Sequence, residues 1–120
     1  MKKINFKKKK TIKTYCFDID GVICNTNKNY YKKSRPIKKS ITKINNLYDK
    51  GNRIIIFTAR FMGRSNENIR LAKKRGYRLT FNQLKKWNLK FHKLIMGKPS
   101  FDLIVDDKSL FFKRNWQKFL

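Results

Sequence analysis

A continuous apolar run at residues 54–57, which reads Ile, Ile, Ile, Phe, is the feature that most constrains the fold. Polar residues bound the run on both sides, a pattern that is typical of a strand buried in a parallel sheet. Further strands are predicted at residues 13–19, 94–96 and 101–105. Strands that alternate with helices imply a parallel, doubly wound sheet. The predicted fold class is therefore α/β, a three-layer Rossmann-like core in which helices flank a mostly parallel sheet.

Helix signals fall between these strands. One helix is predicted to start at Pro36, because proline suits the first helical position, and to stop at Gly51. Others are predicted over residues 65–75 and 80–87, and a closing amphipathic helix over residues 109–120. The residues predicted to bound them are Ser65 and Gly76 for the second helix, and Thr80 with Gln83 as a capping box for the third. The polar residues 21–35 are predicted to form a loop or a small flap.

Two carboxylates, Asp18 and Asp20, follow the first predicted strand. Side chains two apart on a strand share a face, and like charges held that close are unfavourable unless a cation or a shared proton relieves them. Only 7 of 120 residues are Asp or Glu, yet a second pair, Asp106 and Asp107, follows the last predicted strand. A solvated turn would explain the first pair alone, and a helix N-cap the second. Their shared position at strand ends favours one common site.

Two further polar residues, Thr58 and Lys98, also follow predicted strands. In doubly wound sheets, ligands bind at the carboxyl ends of the strands. Aspartate-rich strand ends suit a hard, oxygen-preferring ion, so we expect Mg²⁺ as the cofactor and a phosphate as the substrate group. The predicted metal ligands are Asp18, Asp20, Asp106 and Asp107.

These side chains can carry out phosphoryl transfer. Asp18 can attack phosphorus, and Asp20 can protonate the leaving oxygen and then deprotonate water. Thr58 can donate a hydrogen bond to a phosphoryl oxygen, and Lys98 can hold negative charge. Arg60 either binds the substrate phosphate or faces solvent. The single histidine, His92, is expected to be a packing residue.

Taken in order, these residues resemble the four motifs of the haloacid dehalogenase (HAD) superfamily. The residues that carry the resemblance are Asp18-Ile19-Asp20-Gly21-Val22, Thr58, Lys98 and Ile104-Val105-Asp106-Asp107. It covers the chain from about residue 14 onward, and it implies a HAD-like fold and magnesium-dependent phosphomonoester hydrolysis through an aspartyl-phosphate. It also implies substrate binding by Thr58, Ala59, Arg60 and Lys98.

A closer resemblance is to small HAD phosphatases of capsule and polysaccharide biosynthesis. The segments that carry it are Pro36-Ile37, Lys43-Ile44-Asn45, Leu47-Tyr48, Phe57-Thr58-Ala59-Arg60, Gln83-Leu84 with Trp87, His92-Lys93-Leu94 and Gly97-Lys98-Pro99. It implies a sugar phosphate or a related metabolite as substrate. The chain departs from that pattern at Phe61-Met62, where Gly-Met is expected. The gaps between motifs leave no room for a cap domain, so a homo-oligomer that covers an open site is a reasonable partner.

Composition bounds the remaining possibilities. Residues 1–11 are predicted to be a basic arm and residues 12–120 a single domain. The charge of +25 attracts anions, and it is explained either by AT-rich codon drift or by a polyanion such as nucleic acid. No run is long enough for a membrane span, so a cytoplasmic protein with reduced Cys16 and Cys24 is expected.

Three functions are therefore compatible with the sequence. The favoured one is a HAD phosphatase that acts on a small phosphorylated metabolite. A polynucleotide end phosphatase would use the same residues together with the basic surface. A non-catalytic module that binds nucleic acid on the same fold is the third possibility, and nucleic acid is not the favoured partner.

Overall fold

The computed structural model describes residues 11–120. The predicted basic arm, residues 1–11, lies outside the described residues apart from its last residue. Three single 3₁₀ turns lie at Tyr31–Lys33, Gly63–Ser65 and Trp116–Phe119. The strands and helices are β1 (Thr14–Phe17), β2 (Cys24–Asn25), β3 (Arg35–Pro36), α1 (Lys38–Asp49), β4 (Arg53–Thr58), α2 (Ile69–Lys86) and β5 (Lys93–Met96).

Among residues 11–120, the main sheet has three parallel strands in the order β1-β4-β5. Phe17 of β1 pairs with Ile56 of β4, and Thr58 of β4 pairs with Met96 of β5. The central strand contains the apolar run at residues 54–57, and alternate residues of β4 are buried, as expected for a central strand. β2 and β3 form a separate antiparallel ladder within the predicted flap region. The α/β, Rossmann-like fold class is thus confirmed.

The helices cover this sheet with apolar side chains. Ile54 and Ile56 of β4 are fully buried, and Ile44 of α1 and Leu84 of α2 are also at 0% exposure in the same core cluster. Each such side chain stabilises the fold by about 1.5–3 kcal/mol relative to an exposed one. No helix in the described part of the chain is long and apolar enough to cross a membrane.

The predicted start of the first helix was wrong. Pro36 lies in β3, where it pairs with Cys24, and α1 begins two residues later with Ile37 at its N-cap. Proline is compatible with this short edge strand because it need not donate a ladder hydrogen bond there. The end was predicted correctly, since Gly51 follows α1 with a φ of +94°.

The predicted second and third helices are one helix, α2, and its N-cap is Asn68 rather than Ser65. Asn68 Oδ1 accepts the N–H of Leu71 at 3.0 Å. Gly76 lies inside α2 and does not end it. The residue is glycine because a Cβ there would overlap the ring of Phe61. The predicted capping box was also wrong, because Thr80 and Gln83 both lie within α2.

The carboxyl-terminal predictions were also wrong. Residues 101–105 do not form a strand and residues 109–120 do not form a helix, apart from the 3₁₀ turn at Trp116–Phe119. Every residue from 101 to 115 is exposed. Trp116 is buried and packs on Phe17, with ring centroids 5.4 Å apart. The apolar residues of 101–105 and 109–120 therefore indicated a strand and a helix in a part of the chain that, among the described residues, is mostly exposed.

Phe61 and Gly76 provide a test of this packing. Phe61 has a φ of +68°, a left-handed conformation that costs a non-glycine residue about 1–2 kcal/mol. We expect Gly76→Ala to destabilise the protein by about 1–2 kcal/mol, because overpacking outweighs the gain in helix propensity. The free energy of unfolding in urea measures this change.

Gly63→Ala is the matched control, since a Cβ at Gly63 meets nothing within 4 Å. In a Phe61→Gly background the effect of Gly76→Ala should disappear or become stabilising. An unchanged loss of stability in that background would contradict the packing explanation.

Candidate functional site

Asp18 lies just beyond β1 and faces Lys98, which follows β5. Lys98 Nζ is 3.5 Å from Asp18 Oδ2, and the Asp18 side chain remains 34% exposed. The backbone N–H of Lys98 donates to the carbonyl oxygen of Thr58 at 3.1 Å. The parallel register of β1, β4 and β5 thus brings two of the predicted site residues together at the carboxyl edge of the sheet.

Asp20 lies in a different environment, because Arg60 holds both of its carboxylate oxygens. Arg60 Nη2 donates to Oδ1 and Arg60 Nε donates to Oδ2, each at 2.9 Å. The hydroxyl of Thr26 also donates to Oδ1. Arg60 Nη1 donates to Gln83 Oε1 of α2 at 2.6 Å. A guanidinium suits this position because its planar fork matches a carboxylate in bidentate geometry.

Arg60 is therefore engaged inside the protein. It is only 1% exposed, and its guanidinium lies over the ring of Tyr31, 4.8 Å from the ring centroid. The solvent-facing alternative is excluded by this burial. Its predicted role in substrate binding stays a prediction, and the contacts that are present position Asp20.

The pKa of the Asp18 carboxyl is raised above its ordinary value. Burial is the main cause, while the charge of Lys98 opposes it and the charge of Asp20 adds to it. The two carboxylates are thus distinguished by their surroundings. Asp18 has one lysine and an open side, whereas Asp20 is bound by a buried arginine.

The open side of Asp18 is a cavity of about 500 Å³. Lys28, Arg64 and Lys98 line it together with Asp18 and Asp20. A second cavity of about 740 Å³ adjoins it, and its bases are Lys28, Lys32, Lys33, Arg64 and Arg75. Within residues 11–120 no ion pair involves these five bases. The uncompensated positive charge attracts anions to the approach to Asp18.

The two remaining residues of the β4 end have different exposures. Thr58 is fully buried, and its hydroxyl oxygen accepts the N–H of Arg60 at 3.1 Å. It does not line the cavity beside Asp18, whereas Ala59 does. The predicted hydrogen bond from Thr58 to a phosphoryl oxygen therefore stays a prediction.

Asp106 and Asp107 are not brought to the site. Both are exposed, and neither lines the cavity that contains Asp18. Within residues 11–120 no three His, Cys, Asp or Glu side chains cluster as a metal site. The four carboxylates that the sequence predicts as Mg²⁺ ligands are thus not brought together within one chain. In addition, both oxygens of Asp20 already accept hydrogen bonds from Arg60. A single chain does not fit the expected metal.

Sequence reasoning missed the residues that hold Asp20. Gln83 was interpreted as a helix cap, yet its side chain joins Arg60 to the carbonyl oxygen of Tyr31, to which Gln83 Nε2 donates at 2.7 Å. Thr26 and Ser34 of the flap region also contact this group, with their hydroxyl oxygens 2.6 Å apart. Nothing in their spacing marks them, because they are distant in sequence from Arg60.

Other residues have structural roles. His92 Nδ1 accepts the N–H of Ile54 at 3.0 Å, and its ring stacks on Tyr48, as a packing residue would. Cys16 and Cys24 are both free thiols.

Comparison with known proteins shows the fold but not a family. No family model matches the chain, and no curated protein matches it. One solved structure is similar, the crystal structure of an MCSG target from Vibrio cholerae. It has a TM-score of 0.77 and 22% sequence identity, over 82% of this chain and 83% of that chain.

The Arg60–Asp20 pair gives a stability prediction. Arg60→Met should destabilise the protein by about 3 kcal/mol, because it leaves Asp20 without its partner and removes the donor to Gln83. Arg78→Met is the matched control, since Arg78 is an exposed arginine of α2. It should change the free energy of unfolding by less than about 0.5 kcal/mol. Equal effects in the two variants would show that the buried pair does not stabilise the fold.

For Asp18 we expect the opposite effect on stability from that of Arg60, because removing its charge should not destabilise the fold. Because its pKa is raised in the folded state, its contribution to stability is greatest at low pH and is lost as pH rises through that pKa. Asp18→Asn should therefore leave stability at neutral pH equal to or above that of the unmodified protein. Unfolding curves at neutral and acidic pH, without added divalent metal, measure the difference. A clear loss of stability at neutral pH would contradict the assigned environment.

Proposed function

We propose that the protein is a phosphomonoester hydrolase in which Asp18 is the nucleophile. The observation that carries the proposal is the position of Asp18, a half-open carboxylate paired with Lys98 at the edge of a cavity with uncompensated bases. A phosphate dianion is attracted to that cavity, and Lys98 can hold a phosphoryl oxygen close to Asp18. The resemblance of the motifs to the HAD superfamily supports the same assignment.

The reaction has two steps. An Asp18 oxygen forms a bond to phosphorus while the bond from phosphorus to the ester oxygen breaks, and the departing alcohol takes a proton from Asp20, which must first be protonated and released from a hydrogen bond with Arg60. Water then attacks the aspartyl-phosphate, Asp20 takes a proton from it, and inorganic phosphate leaves as Asp18 is regenerated. Arg60 is a positioning residue in this scheme, because its hydrogen bonds hold Asp20 in place as a carboxylate, the form that accepts the proton of water.

Magnesium enters the proposal through the resemblance and through the general need to neutralise a phosphate. One chain brings only Asp18 and Asp20 together, so no step is assigned to the metal here. Assays of the proposed activity should nevertheless contain magnesium.

The proposed substrate is a sugar phosphate or a related small metabolite. A terminally phosphorylated polynucleotide is the second candidate, and a specific observation favours it. The cavity of about 740 Å³ next to the site combines five bases with Tyr30, Tyr31 and Phe61. Basic side chains and aromatic rings together suit a larger anionic leaving group, such as a nucleotide chain whose nucleobases can stack on the rings. A small sugar phosphate would not need this second cavity.

The test is phosphate release with magnesium present, measured on sugar phosphates, on 3′-phosphorylated oligonucleotides and on a generic phosphomonoester. We expect turnover of the generic substrate and its loss in Asp18→Asn. Lys98→Met should lower kcat by about 10²–10³-fold, which is the effect of removing one donor to a developing negative charge. Lys93→Met, an exposed lysine of β5, is the matched control and should keep full activity.

The outcomes separate the candidates. Preferential release from the oligonucleotide would replace the metabolite proposal with the polynucleotide one. If no phosphomonoester is hydrolysed while Asp18→Asn and the unmodified protein bind oligonucleotides equally, the protein is a non-catalytic binding module.

A further inference from the structure

Residues 101–112, called the exposed arm from here on, present an unusually large number of apolar side chains to solvent. Leu103 is 81% exposed, Val105 93% and Phe111 84%, and four further large apolar residues of the arm are also exposed. Exposed apolar surface on this scale marks an interaction site. The arm also carries the second acidic pair, Asp106 and Asp107, away from Asp18.

Among the described residues, the sheet has an edge strand, β1, to which a further strand could be added. β1 is an edge strand, and within residues 11–120 it pairs only with β4. Thr14 and Cys16 of β1 are exposed, in contrast to the buried side chains of β4. An open edge of a sheet is a template for a further strand. The arm has the strand-like sequence, and the described residues leave one hydrogen-bonding edge of β1, beside Asp18, without a partner strand.

The arm cannot become that parallel strand within its own chain. The Lys98 N–H binds the Thr58 carbonyl, and Ser100 N–H donates to Glu67 Oε1 at 2.8 Å, so the chain leaves β5 at the carboxyl edge. If Asp106 lay beside Asp18, only about five residues would separate β5 from the start of such a strand, about 20 Å of fully extended chain. A crossover between parallel strands needs about a dozen residues or more, because the chain must pass over one face of the sheet to return to the amino edge.

An antiparallel course along β1 is within reach, but it would carry Asp106 and Asp107 to the amino edge, away from Asp18. The arm is also held at its other end, because Trp116 packs on Phe17 of the same chain. Only an arm from another molecule can pair in parallel with β1 and place its acidic pair beside Asp18.

We propose that the arm is exchanged between two copies of this chain, so that each arm adds a parallel strand to the free edge of β1 in its partner. In this dimer, Asp106 and Asp107 of one copy lie beside Asp18 of the other. Exchange of an identical segment is a low-cost route to a symmetric dimer. The charges are complementary as well, since the acids of the arm enter a cavity lined by Lys28, Arg64 and Lys98.

The proposal rests on the proposed function only where it concerns the carboxylates, and it explains why one chain lacks the predicted metal ligands. The two-residue interval is preserved if Asp106 lies beside Asp18, which pairs residue 104 with Cys16. Cys16 is an exposed, free thiol, so the chain carries its own cross-linking probe.

The first test is a disulfide cross-link in the full chain. Ile104→Cys should form a covalent dimer with Cys16 under mild oxidation at alkaline pH, visible on a non-reducing gel. Val105→Cys is the matched control, because adjacent residues on a strand point to opposite faces, and it should cross-link much less. Ile104→Cys combined with Cys16→Ser should not cross-link.

The mass of the unmodified chain, from sedimentation, guards against a variant that fails to fold. We expect a dimer at micromolar concentration. A monomer, or a cross-link that forms within one chain, would overturn the proposal.

The second test mixes two variants, Asp18→Asn and Asp106→Asn, after brief unfolding and refolding together. In an exchanged dimer, each mixed pair has one site with both native residues. About a quarter of wild-type phosphatase activity should therefore return, since about half of the dimers are mixed and one site in two is intact. Activity that stays at the level of the separate variants would contradict a shared site.

The two tests fail independently of each other. If the unmodified protein has no phosphatase activity, the proposed function falls, and the cross-link still decides whether the arm is exchanged.

Discussion

The buried contact between Arg60 and Asp20 ties together the parts of the chain on which the site depends. Arg60 follows the central strand β4, Asp20 lies in the turn after β1, and Gln83, which accepts from the same guanidinium, belongs to α2. One side chain thus fixes the turn, the strand end and a helix in register. A fully buried arginine is costly to desolvate unless its donors are used, and here most of its donors have partners.

This contact also divides the work between the two carboxylates. Because Arg60 binds Asp20 on both oxygens, Asp18 remains the carboxylate with an open side, and its basic partner among residues 11–120 is Lys98. Burial raises its pKa, so the fold holds this group at a cost in stability. A residue that destabilises the fold yet faces a basic cavity is typical of a reactive group rather than a structural one.

Much of the sheet and half of the site could be predicted from sequence. The apolar run of β4 and the interval between Asp18 and Asp20 are local signals, and both strands lie where those signals indicate. The partners of Asp20 could not be predicted, because Thr26, Ser34 and Gln83 meet Arg60 only after the chain has folded. The break between two predicted helices at Gly76 was misjudged because glycine there serves the close approach of Phe61, a long-range contact that resembles a helix stop in sequence.

In the exposed arm, residues 101–112, the local sequence pattern predicts a strand that the connectivity of the chain does not allow. Leu103, Ile104 and Val105 have strand-forming side chains, and a strand there would carry Asp106 to the edge where Asp18 lies. Connectivity forbids it, because Ser100 is bound to Glu67 at the carboxyl edge and too few residues remain for a return to the amino edge. A second copy removes that constraint without any change in sequence. In the proposed exchange, the motif order would describe a site that two chains complete, and the edge of β1, the acidic pair and the exposed apolar residues would be parts of a single interface.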